Sequence, residues 1–269
     1  DLSGLLKPSS VTFTNSLGND YTVTGATGNG ITGATGLTKN GAGTLTLGGA
    51  GSSFTGAVAV NGGVLNLANA EAPGHNSGVT IAANARVNLN GQALSSAGRH
   101  HTWTIAGAGG DGAGGVGAIT NTGGHIYGNA GIVNLVLSDD AEIGGSNGRF
   151  DVGLSGGIYG TIDGQNNTLT KVGTNDIVFR APASDITYVV NQGRLTFEDY
   201  DSASGGNLIT VNNTSTLGSY GPRTFGNNVS MAAGTTLISQ GNGAGTWTGD
   251  IDFLGTAVLQ ADDALVLTG

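Results

Sequence analysis

The chain has 269 residues, 52 of them glycine, with four prolines, no cysteine and only 10% charged residues beside 38% hydrophobic ones. That composition excludes collagen, which needs proline-rich triplets, and a disordered tail, which lacks apolar residues; it fits many short strands joined by tight turns. A formal charge of −9, with nine Lys and Arg standing singly along the sequence, argues against a nucleic-acid partner, because phosphate binding needs clustered cations.

No apolar run reaches the ~18 residues of a membrane-spanning helix, so no membrane span is expected within the chain. Lack of cysteine is compatible with the outside of the cell, since a long solenoid buries a continuous core without disulfide staples. The chain opens at Asp1-Leu2-Ser3 and stops at Leu267-Thr268-Gly269 inside a strand-like run, and it reads as a mature or excised piece of a longer polypeptide.

Residues 1–36 are read as N-terminal strands and a cap. Val11-Thr12-Phe13-Thr14 and Tyr21-Thr22-Val23-Thr24 alternate apolar and polar residues around Leu17-Gly18-Asn19-Asp20, as a hairpin or a solenoid turn would. The short apolar segment from Leu2 to Leu6 is expected to cap a sheet end or to join a second subunit as an added strand.

Residues 37–269 are read as one continuous β-helix. The stretch 37–67, LTKNGAGTLTLGGAGSSFTGAVAVNGGVLNL, holds alternating runs at Leu45/Leu47, Val58/Val60 and Leu65/Leu67. Each run has the two-residue period of a strand with one buried face, and Gly48-Gly49 and Asn61-Gly62-Gly63 supply residues that tolerate positive φ at the turns. The stretch 95–131 is the least regular, and a protruding loop or imperfect coil is placed there.

The first pattern is written again about 130 residues on, which is the mark of an internal repeat. Residues 169–197, LTKVGTNDIVFRAPASDITYVVNQGRLTF, set Leu169-Thr170-Lys171 where Leu37-Thr38-Lys39 stood. Ile177 and Phe179 replace Leu45 and Leu47, and Val190-Asn191-Gln192-Gly193 replaces Val60-Asn61-Gly62-Gly63. Nine-residue units starting at Val79, Leu135, Ile209, Val229 and Ile251 carry two inward apolar residues, a short turn and a third inward residue. Their spacing predicts an all-β solenoid of roughly 20-residue coils. Some thirteen such coils, at ~4.8 Å each, would make a rod about 60 Å long.

The pattern LTK-x-G-x-G-x-L-x-L, then a turn, then V-N-x-G-x-L-x-L, closely resembles the passenger-associated repeat of bacterial autotransporters, with 169–197 a degenerate second copy in which Asn175 and Asp176 replace Gly43 and Thr44. The resemblance implies a right-handed parallel β-helix exported to the surface of a Gram-negative type of cell. It says nothing of activity, since such passengers include adhesins, stalks and enzymes.

Candidate chemistry is weighed against plainer readings. Gly107, Gly109 and Gly112 formally spell G-x-G-x-x-G, yet a dinucleotide site needs a helix next, and Ile119-Thr120 is strand-like. A polysaccharide-cleaving site would need paired carboxylates; Asp139-Asp140, Asp262-Asp263 and Glu198-Asp199 with Asp201 are the candidates. Each falls in or beside a turn with no Arg or Lys close in sequence, and each is read as a solvated turn carboxylate. His100-His101 diverge on a strand without a third metal ligand. The repeated nonapeptide of calcium-binding β-rolls is absent. Thr-x-Thr triplets at 12–14, 22–24 and 44–46 would suit ice only as in-register rows, and Asn61, Asn84 and Asn191 are expected to form stacked ladders at coil corners.

The expectation is therefore a non-enzymatic extracellular β-solenoid without cofactor or metal, acting as an adhesin or structural stalk and meeting a surface glycan or protein receptor. The alternatives are a filament subunit joined head to tail through strand edges or solenoid ends, and a carbohydrate-active enzyme.

Overall fold

Runs of three to five alternating residues, cut by glycine and asparagine, bury one face and then turn a corner. In the computed structural model, which describes residues 1–75, 78–94, 100–110, 116–128, 130–155, 160–199 and 207–269, these runs wind into a three-sided parallel β-solenoid. It has about 11 coils, roughly 22 residues apart.

The first side stacks β2 (Ser10–Thr14), β5 (Gly36–Asn40), β7 (Val58–Val60), β9 (Gly78–Ile81), β11 (Thr102–Gly107) and the early parts of β13 (Asn134–Gly144), β15 (Ile162–Lys171) and β17 (Ala183–Val190). The second stacks β3 (Tyr21–Val23), β6 (Thr44–Leu47), β8 (Gly63–Leu67), β10 (Ala85–Asn88) and β12 (Ile119–Thr120). It continues through the late parts of β13, β15 and β17 into β19 (Ile209–Val211), β22 (Val229–Met231) and β25 (Ile251–Phe253).

The third side begins with β1 (Leu5–Leu6) on β4 (Gly30–Ile31) and loosens to single backbone bonds such as Ser53 N–H to the Ile31 carbonyl. It then becomes a six-stranded sheet of β14 (Phe150–Val152), β16 (Asp176–Phe179), β18 (Arg194–Glu198), β20 (Thr216–Tyr220), β23 (Thr236–Gln240) and β26 (Val258–Ala261). Near the C-terminal end β21 (Thr224–Phe225), β24 (Gly245–Trp247) and β27 (Leu265–Leu267) take the first side's station in the coil, after the third side and before the second.

Inward residues form one apolar column from Ile31 to Trp247. In its later half the column turns aromatic: ring centroids of Tyr188 and Phe197 are 5.4 Å apart, Phe197 and Phe225 5.8 Å, and Phe225 and Trp247 4.5 Å. Burial drives the Tyr188 phenol pKa above its ordinary value.

Several expectations change. Coils number about 11 rather than thirteen, because the middle coils carry insertions; Asn88 and Thr122, side by side on successive coils, are 34 residues apart. At ~4.8 Å per coil the rod is about 50 Å long. The irregular stretch 95–131 still contains a full rung, since β11 pairs with both β9 and β13. β2 and β3 lie on different sides and stack on β5 and β6, so the turn between them is a solenoid corner and the ladder already runs through residues before 37. Threonines 12, 38, 80 and 104 share one outward row, broken by Ala59, whereas Thr22 and Thr46 lie on the second side; the triplets do not share a face.

Candidate functional site

Two features stand out from the plain stack, one inside the coil and one on its third side. Inside, Lys39 and Lys171 are both buried at corners. Lys39 Nζ donates to the carbonyls of Asn40 (2.9 Å), Gly41 (2.8 Å) and Gly62 (3.1 Å), the last on the next coil. Lys171 Nζ repeats the arrangement with Val172 (2.8 Å), Gly173 (2.7 Å) and Gln192 (3.1 Å). Each Nζ thus ties two coils together through backbone carbonyls. Burial lowers both amines, Lys39 against the pull of Asp20 and Lys171, to about 7, against that of Asp176.

The glycines of the motif complete the corner. A Cβ on Gly63 (φ +64°) would stand 2.4 Å from the Gly43 carbonyl oxygen, and one on Gly193 (φ +65°) 2.5 Å from that of Asn175. Asparagines stack at corners as expected: Asn61 Nδ2 donates to Asn40 Oδ1 (2.9 Å), and Asn212 Nδ2 to Asn191 Oδ1 (3.0 Å).

On the third side, β14, β16 and β18 alternate inward apolar residues with outward charges. Asp151, wholly buried, accepts from Arg149 Nε (2.6 Å), Arg149 Nη2 (2.9 Å), Arg180 Nε (2.7 Å) and the Gly128 N–H (2.8 Å). Glu198 accepts from Arg149 Nη2 (3.1 Å) and Arg180 Nη2 (2.9 Å), and Asp199 from Arg180 Nη1. Arg194 bonds Asp176 and reaches Gln240 (2.8 Å), two rungs on.

Burial works against the charged Arg149 and Arg180, but the bond to Asp151 and the surrounding carboxylates outweigh it and hold both above the usual range. Burial also pushes the Glu198 carboxyl up against the pull of Arg180 and Arg149. A cluster so thoroughly paired is a clamp across coils; breaking one partner would leave an uncompensated buried charge.

Beside this clamp an open groove of about 560 Å³ follows the corner between second and third sides, lined by His125, Tyr127, Arg149, Asn175, Asp176 and Arg194 among others. The Arg149 guanidinium lies 6.0 Å from the Tyr127 ring centroid, and the His125 ring 6.1 Å from Tyr127. His125 Nδ1 accepts from the Arg149 N–H (2.9 Å), which leaves the imidazole proton on Nε2.

The sequence candidates divide. Glu198 and Asp199 are not solvated turn carboxylates: arginines from preceding coils meet them, and cations that stand singly in sequence converge in space. Asp201 and Gly112 lie outside the described residues. Asp140 Oδ1 accepts the Thr168 N–H (2.7 Å) and Asp263 Oδ2 the Gly243 N–H (2.7 Å), so both tie exposed turns. His100 is exposed and His101 buried edge-on to Trp103, so the pair diverges. Gly107 and Gly109 pack against the Ala83 and Gly117 backbones, and no helix follows. Among the described residues no helix is long and apolar enough to cross a membrane. The groove residues His125, Tyr127 and Arg194 were not anticipated, because His125 and Tyr127 lie on one coil and Arg194 three coils further on.

Residues 37–67 match the family model of the passenger-associated-transport-repeat, bearing out the resemblance on the same residues. No curated protein and no solved structure matches the chain.

Proposed function

We propose that this chain, built on a passenger-associated transport repeat, is a non-enzymatic stalk segment of an autotransporter-like protein, displayed on the surface of a Gram-negative type bacterium and offering its sides as adhesive surface. The observation that carries the reading is the position of the matched repeat: 37–67 supplies consecutive rungs of a ladder that goes on past it in both directions, so the repeat is architecture rather than a separate module. The absence of enzymatic activity is supported by the carboxylates, which are engaged in tying turns or in pairing with arginine.

Fused upstream of an outer-membrane translocator barrel, the chain should reach the surface of intact cells, where added protease removes it. Retention inside the cell sinks the stalk reading. Turnover of any acidic polysaccharide, abolished by Asp139→Asn with Asp140→Asn, would replace it with an enzyme.

A second reading is a filament joined head to tail through strand edges. Electron microscopy at rising concentration should then show rods that lengthen; single short rods at every concentration rule the filament out.

A further inference from the structure

We propose that the groove at the corner between the second and third sides binds a neutral oligosaccharide. Its floor is a row in register along the rod. His125 adjoins Arg149, Arg149 stands beside Asp176, and Asp176 pairs with Arg194, each on the next coil. The row spans about 14 Å at the ~4.8 Å spacing of parallel rungs, room for an extended chain of a few sugar rings.

Tyr127 is 61% exposed, although its ring is flanked by His125 and the Arg149 guanidinium. Such an amphipathic ring, standing on a polar wall, offers a flat apolar face to the C–H side of a pyranose, and its hydroxyl is left for a sugar hydroxyl. The polar groups around it are already ordered. Arg149 is held by Asp151 and Glu198, Arg194 by Asp176 and Gln240, and the His125 tautomer by a backbone N–H. A ligand therefore meets fixed donors and one carboxylate without an ordering cost to the protein.

Charge selects among glycans. Arg149 and Arg194 are each matched by carboxylates, and the chain carries −9 overall, so no positive field gathers a sulfated or sialylated chain and Asp176 repels one. The proposal rests on the stalk reading only in that a rod outside the cell would encounter glycans.

The test uses the whole 269-residue chain on an array of neutral hexose and N-acetylhexosamine oligosaccharides beside sialylated and sulfated ones, followed by calorimetric titration of the strongest neutral binder. Tyr127→Ala and Arg194→Met should each weaken binding at least tenfold. Tyr21→Ala, which removes an exposed tyrosine far from the groove, should leave it unchanged, and Tyr127→Ala should leave the unfolding midpoint unchanged. Three results overturn the site: a signal confined to acidic glycans, neutral binding indifferent to Tyr127→Ala, or no glycan bound by protein with an intact β-sheet spectrum. None of these touches the export assay, so the groove can fail while the stalk reading stands.

Discussion

Lys171 shows how much one side chain can ask of a corner. It is 1% exposed and donates to three carbonyls, yet burial brings its pKa from 10.5 to about 7. Between about 7 and 10.5 the unfolded chain binds a proton that the folded chain does not, so stability from this group rises as pH climbs through that window. Lys171→Met keeps much of the stem and removes the titration. Urea midpoints at pH 7 and pH 9 should diverge, the parent gaining on the variant at the higher pH by about 1 kcal/mol or more; parallel curves would show that the amine keeps its ordinary pKa. The charged clamp holds a different lesson at this scale. Asp176 opens β16 and Arg180 directly follows it, while Arg194 and Glu198 bound the next strand with the signs reversed, so that stacking sets opposite charges side by side. That reversal is present in the sequence. It could be read only with the register known, because opposite charges one coil apart carry no more local signal than two isolated ions.

At the scale of the element, the corner is the portable unit. Leu37-Thr38-Lys39 lies on the first side and turns into β6 on the second, whereas Leu169-Thr170-Lys171 lies on the second side and turns into β16 on the third. The same letters therefore make the same lysine-plugged bend at two different corners of the triangle, one side out of phase. Glycine is required where the next coil passes. Gly63→Ala and Gly193→Ala would each put a Cβ into backbone oxygen at positive φ, and each should cost about 2 kcal/mol or more in denaturant unfolding. Gly124→Ala, with no atom within 4 Å of the new carbon and no positive φ, should be close to neutral. Equal effects at all three would mean that the close approach is not what fixes these glycines. Strand positions, inward faces and the repeat were legible from alternation and turn residues, because both are local. The phase of the second copy was not, since the sequence gives the corner but not which side of the triangle it leaves. Nor was the coil count, because the insertion between β10 and β12 looks like any glycine-rich loop.

For the whole molecule, backbone pairing joins each coil only to its neighbours, with a few side chains such as Arg149 and Arg194 reaching one coil further, so stability is close to a sum over coils. Ile209 and Val229 pair in register on the second side, and deleting 209–228 joins Leu208 directly to the equivalent strand. The shortened chain should fold with the same β-sheet spectrum and a urea m-value lower by roughly a tenth, since m follows the surface exposed on unfolding. A chain that no longer folds would show that this coil is not interchangeable. The parallel ladder has one more consequence, for a molecule under tension. Its hydrogen bonds run along the rod axis between one coil and the next, so a pull on the two ends loads the outermost coil first and peels its bonds in turn. Each coil, roughly 22 residues, releases about 70 Å of extended chain as it comes away. Under shear such a rod yields by unspooling in steps of this size, lengthening many-fold before the column of its core is gone.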